Sequence, residues 1–159
     1  MIKIKARALS KEAFSEFGDY YDFLSPIGHS LGNFYHDHVM YPVSGEMPIG
    51  FSGLIAPVTE MIVKKVEFHN KTSEAILPLD GDVIVHVAPP SAEPIPEKTQ
   101  AFIVPKGTMV RLNTAVWHLC PMPIENKDVH LLITLPERTY YSDCAVVEYS
   151  PNQYVEIER

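Results

Sequence analysis

The sequence predicts an all-β fold, a sandwich or barrel of short strands. Three observations carry that reading. Short alternating apolar runs recur along the chain, with turn signals about every ten residues. Fourteen prolines stand against eight glycines, a balance that suits strand ends and turns better than long helices. The 159 residues are 46% apolar and 21% charged, enough for one globular domain with a real core, taken here as residues 1–159.

Taken in order, Ile2 to Ala8 alternates and reads as a first strand. Ser10 can cap a short helix with Glu12 and Ala13 in its first turn, and Gly18 ends it. Tyr20 to Phe34 mixes aromatics with Pro26, Gly28 and Gly32 and reads as loop. Tyr35-His36-Asp37-His38 has the look of a metal clip, but Asn33 and Pro42 around it favour a loop or strand edge. Met47 to Ala56 and Glu60 to His69 are strands around Pro57-Val58-Thr59. Ala75 to Leu79 and Asp82 to Ala88 follow, hinged at Asp80-Gly81. Pro89 to Lys98 is a surface loop. Gln100 to Val104 and Thr108 to Leu112 flank the turn Pro105-Lys106-Gly107. Val116 to Cys120, Val129 to Leu135 and Ala145 to Tyr149 complete the strands. The polar tail, Val146 to Arg159, is expected to pack across a subunit or to fray.

Charge and cysteine usage narrow the function classes. A formal net charge of -7 argues against nucleic acid and anionic membranes as partners. No stretch approaches the ~20 apolar residues of a membrane span, and MIKIKARALS carries no signal-peptide pattern. Cys120 and Cys144 are too few for a disulfide framework, which favours a reducing cytoplasm.

The stretch that carries chemistry is Val63 to Gly81. Lys65, Glu67 and His69 share one strand face with Val63, and Glu74 opens the next apolar run after Asn70-Lys71-Thr72-Ser73. Oxygen and imidazole donors then converge from adjoining strands. Such a set suits a divalent transition metal, or acid–base chemistry without one. From periodicity alone this face could equally be the outside of the sheet. His86 and His130 each sit within a strand, and each is either a hydrogen-bonded core residue or a substrate contact. Trp117 should point away from His118 and pack. Lys65 and Arg111 are the cations placed to meet a carboxylate, Lys65 because of its face.

Glu67-x-His69, four residues, Glu74, six residues, Gly81 resembles the first cupin motif, with Glu67 at the first histidine's place. Asn113 to His118 is similar to the second motif, with Ala115 in the glycine's place. More narrowly the chain resembles the ureidoglycolate lyase family. The likeness rests on Leu9 to Asp19, the histidine followed by a loop and an apolar strand, Thr99-Gln100-Ala101-Phe102, and Val116-Trp117-His118. Glu74 stands where that family commonly carries Gln, and Leu54 where it commonly carries Arg.

The resemblance implies a cupin-type antiparallel barrel or jelly roll with a short N-terminal helix, and it turns the Glu67 face inward. It implies a lyase that splits (S)-ureidoglycolate into glyoxylate and urea in purine and allantoin breakdown. His69, Glu74 and His118 are the catalytic candidates. Lys65, His86 and His130 are the substrate-binding ones. Glu67, His69, Glu74 and His118 are the metal set, for Zn, Mn, Fe or Ni, with no organic cofactor expected. A homodimer is implied too. Two other classes stay open: a metal-dependent cupin isomerase or lyase on another hydroxy, keto or sugar acid, and a small-ligand-binding cupin without turnover.

Overall fold

The structure, a computed structural model, describes residues 1–43 and 45–159. Its strands are β1 (Ile2–Lys5), β2 (Arg7–Ala8), β3 (Gly18–Asp22), β4 (Ile49–Ala56), β5 (Ile62–Val63), β6 (Lys65–Phe68), β7 (Glu74–Pro78) and β8 (Val83–Ala88). These continue with β9 (Gln100–Val104), β10 (Thr108–Leu112), β11 (Trp117–His118), β12 (Met122–Pro123), β13 (Val129–Pro136), β14 (Ala145–Glu148) and β15 (Val155–Glu158). Two short helices, α1 (Lys11–Phe14) and α2 (Thr139–Ser142), complete the set with two single 3-10 turns. Among the described residues no helix is long and apolar enough to cross a membrane.

Two sheets face each other. One has five strands in the order β3-β10-β7-β13-β4, the other seven, β14-β6-β11-β8-β9-β2 with β12 beside β8. This is the expected all-β sandwich, and its two sheets stay open at the edges instead of closing into a continuous barrel. Between them lies the main core, where Ile76, Val110, Leu112, Leu131 and Ile133 of the five-stranded sheet meet Val83, Val85, Val87, Phe102 and Val104 of the seven-stranded one. Helix α1 starts as its sequence predicts: the Ser10 side chain accepts the Ala13 N–H at 3.1 Å. The helix drops Phe14 into this core, edge-on to Phe102 with ring centroids 5.1 Å apart.

A third sheet, β1-β15-β5, covers the other face of the seven-stranded sheet. The second core between them contains Val63, Val66, Ile84, Ala88, Trp117, Val155 and Ile157. The C-terminal tail is therefore not frayed. It is a strand running parallel to β1, with Val155 and Ile157 buried. The segment expected to be loop after Gly18 also begins with a strand, β3, which pairs with all of β10. Pro105-Lys106-Gly107 turns as foreseen, with Gly107 at φ +80°, where a glycine avoids the Cβ penalty.

Candidate active site

The site forms where the chain crosses from one sheet to the other. Strand β6 ends at Phe68, the loop Asn70–Ser73 turns over the rim, and Glu74 is the first residue of β7 in the facing sheet. Alternation along β6 turns Val66 and Phe68 to the second core, so Glu67 and His69 point between the sheets. His118 arrives from β11, directly opposite Glu67 in the ladder. Trp117, one residue earlier, packs on Phe68 in the second core, as alternation demands. Ala115 sets the approach of β11. Its φ of +65° is left-handed, a strain of roughly 1 kcal/mol for a residue with a Cβ, and its N–H donates to the His69 carbonyl at 2.7 Å.

Glu74 Oε2 sits between the two imidazoles, 3.0 Å from His69 Nε2 and 2.9 Å from His118 Nε2. All three residues are buried. Both Nδ1 atoms face backbone carbonyls: His69 Nδ1–H donates to Asp143 O at 2.7 Å and His118 Nδ1–H to Val116 O at 2.8 Å. Each ring is thereby fixed with Nε2 aimed at the common centre. Burial alone would raise the Glu74 carboxyl, but the charge and hydrogen bonds of His118 and His69 overcome it and hold it at about 2. The converse holds for the imidazoles. Burial opposes their charge, yet hydrogen bonding and charge from Glu74, with help from the backbone carbonyls, leave both above the ordinary histidine value.

Glu67, His69 and His118 each offer one donor atom, and these atoms lie within 4.8 Å of one another. The donor set suits a divalent ion. Two imidazoles have their Nδ1–H groups already committed to carbonyls, the arrangement that orients metal-binding histidines, and a carboxylate faces them. Glu74 stands outside that triad and bridges the two rings from the side.

The other sequence candidates are not among these donors. Lys65 is exposed at the start of β6, on the Glu67 face. His130 is on the outer face of β13, exposed, with Nδ1 2.6 Å from Asp80 Oδ2. His86 shares its strand parity with Ile84 and Ala88 of the second core, is fully buried, and has no partner on either ring nitrogen. Burial, with the His118 charge, pushes its pKa down to about 3. Neither histidine joins the cluster. Arg111 points to the outer face of β10, where it donates to Asn113 Oδ1 and Ser73 Oγ. His38 stacks on Tyr21 at 4.2 Å and bonds His29 O, a structural use of the histidine pair in the loop.

Several site neighbours carry no sequence signal. Tyr41 donates to Ser73 O at 2.6 Å, immediately before Glu74. Cys144 Sγ donates to Glu67 Oε2 at 3.1 Å. Burial, then the Glu67 hydrogen bond and charge, push that thiol up to about 12, so it stays protonated. Burial and the charges of Glu67 and Glu74 likewise push Cys120 up to about 11, the opposite of an activated nucleophile.

The sequence profile of the ureidoglycolate lyase family matches residues 1–156. The chain belongs to the ureidoglycolate lyase family. Among its relatives is the ureidoglycolate lyase of Rhodobacter capsulatus, 30% identical over 130 residues that cover 78% of this chain and 81% of the relative. That of Pseudomonas savastanoi pv. phaseolicola is 26% identical over 167 residues, covering 96% and 98%. Among solved structures, a partial likeness is found to Bacillus subtilis oxalate decarboxylase, a protein with Mn(II) centres. There the likeness is 15% in sequence with a TM-score of 0.45, over 63% of this chain and 23% of that one.

Proposed function

We propose that this chain is a ureidoglycolate lyase that splits (S)-ureidoglycolate into glyoxylate and urea, a late step of purine and allantoin breakdown. One observation carries the reading: Glu67, His69, Glu74 and His118 converge between the sheets in a chain that matches this enzyme family almost end to end.

The reaction is an elimination from a carbinolamide. The hydroxyl proton leaves, its oxygen's electrons form the new C=O of glyoxylate, the C–N bond breaks, and the leaving nitrogen takes a proton to give urea. Glu67, His69 and His118 would hold a divalent ion of the Zn, Mn, Fe or Ni class. When bound, the ion supplies Lewis acidity toward the substrate's hydroxyl and carboxylate. Glu74 then takes the hydroxyl proton. The charges and hydrogen bonds of the two imidazoles outweigh its burial and hold it ionised, with a free lone pair for that proton. The same carboxyl returns the proton to the departing nitrogen, and nothing is gained or lost over the cycle. Lys65, exposed on the Glu67 face, is the cation offered to the substrate carboxylate.

A second reading is favoured by the 2.9 and 3.0 Å contacts of Glu74 with the rings. In it the histidines act directly, His118 as base and His69 as acid, with Glu74 holding both. A cytoplasmic setting and a homodimer complete the proposal. The dimer is supported by Phe51, Ile55 and Leu79, three large apolar side chains exposed on the outer face of the five-stranded sheet.

Purified protein supplied with each ureidoglycolate enantiomer tests the activity. Glyoxylate and urea should appear in equal amounts from the (S) form. If neither enantiomer is consumed while another hydroxy acid is, the substrate assignment is wrong.

A further inference from the structure

Strand β14 brings a dipeptide against the site that the proposed chemistry does not use. Its register pairs Ala145 with Phe68 and Val146 with Glu67, so the two residues before it, Asp143 and Cys144, run alongside the end of β6 and the turn after it. Asp143 makes three contacts there. Its backbone carbonyl accepts His69 Nδ1–H at 2.7 Å, Oδ1 accepts the Asn70 N–H at 3.0 Å, and Oδ2 accepts the Lys71 N–H at 2.8 Å. Cys144 adds a fourth, its thiol donating to Glu67 Oε2 at 3.1 Å.

The contacts differ in what they constrain. The carboxylate grips two successive backbone N–H groups of the rim loop, which fixes the loop relative to Asp143. That grip in turn holds the Asp143 carbonyl at the distance where it can orient the His69 ring. The thiol fixes one oxygen of Glu67 and leaves the other for the site. Helix α2 anchors the dipeptide from behind, since the Asp143 N–H donates to Thr139 O at 2.9 Å.

We infer that Asp143 and Cys144 are positioning residues that set the orientation of His69 and Glu67, the two donors grouped with His118. The inference rests on the reading of that cluster as the reactive site. Outer contacts of this kind change metal affinity or turnover by about 10- to 100-fold when removed, while the conservative replacement that keeps the hydrogen bond restores them.

Four variants test it: Asp143→Ala, Asp143→Asn, Cys144→Ala and Cys144→Ser. Mn(II) and Zn(II) affinity are measured by competition with a chelator, kcat and KM on (S)-ureidoglycolate are taken separately, and the His69 Nδ1–H proton is followed by NMR in metal-free protein. Cys144→Ala should lower metal affinity and kcat about tenfold with KM little changed, and Cys144→Ser, whose hydroxyl still donates to Glu67, should recover most of the loss. Asp143→Ala should abolish the exchange-protected His69 Nδ1–H signal, and Asp143→Asn, which keeps one acceptor, should retain part of it. The inference is overturned if Cys144→Ala and Cys144→Ser match each other, or if Asp143→Ala keeps the protected proton. Should Asp143→Ala not fold, the Asp143→Asn signal and the cysteine pair decide alone. A wild-type chain that binds neither ion and turns over nothing would sink the parent reading, while the His69 proton would still decide the role of Asp143.

Discussion

Glu67 on β6 and His118 on β11 stand directly opposite each other in the antiparallel ladder, both turned between the two sheets. That pairing joins the two motif segments of the chain. It also brings His118 Nε2 to within 2.9 Å of Glu74, which enters from the facing sheet. The site is thus a junction of three strands from two sheets, with His69 one residue past the end of β6.

Removing His118 should be costly in two ways. His118→Ala leaves the buried Glu74 carboxylate with one imidazole partner, and breaking such a pair costs about 3–5 kcal/mol. Chemical denaturation should show that loss, and turnover should fall by roughly 10²–10⁴. A variant with wild-type stability and activity would remove His118 from the site.

Glu74→Gln keeps the shape and removes the charge. If Glu74 takes the hydroxyl proton, kcat should fall by about 10²–10⁴ with the fold intact. Retained activity would move the base to His118.

His86 predicts the acid limb of stability. Its folded pKa of about 3 lies below the unfolded value near 6.5. Between those values the unfolded chain binds a proton that the native one does not. Stability should therefore fall as pH drops from 6.5 toward 3, by up to about 1.4 kcal/mol per pH unit from this group. Replacing the unpartnered ring by an apolar one, His86→Leu, should flatten that limb, because no hydrogen bond is lost. Denaturation curves at pH 7 and pH 4 for both proteins measure it. An unchanged difference between the two pH values would rule His86 out as the cause.

Much of this was legible in the sequence because β-strands report faces by parity. The Glu67, His69, Glu74 spacing placed three donors at one strand-to-strand crossing, and the second motif supplied His118. Parity failed for His86 because β8 is buried on both faces, all six residues of it, so alternation could not say which core the ring entered. His130 eluded parity for a related reason: its strand is apolar on the core side, and on its outer face Leu132 is half-buried and Thr134 buried, so only His130 is exposed there. The tail strand β15 was hidden because its partner β1 lies at the other end of the chain. Strand register brings the Asp143 carbonyl and carboxylate and the Cys144 thiol to the site, and neither residue leaves a pattern to read.

The outer face of the five-stranded sheet should be covered in solution. Phe51 is 72% exposed on edge strand β4, with Ile55 on the same side. Sedimentation at micromolar concentration should give twice the 17.9 kDa chain mass, and Phe51→Glu should return it to one. A wild-type sample at the monomer mass would refute the dimer.

The most direct test of the metal-assisted account is turnover of chelated protein titrated with divalent ions. Protein freed of metal should release no glyoxylate from (S)-ureidoglycolate, one equivalent of a suitable ion should restore release and raise the melting temperature, and His118→Ala should recover neither. Full turnover by protein holding less than about a tenth of an equivalent of metal, unchanged by added ions, would contradict it.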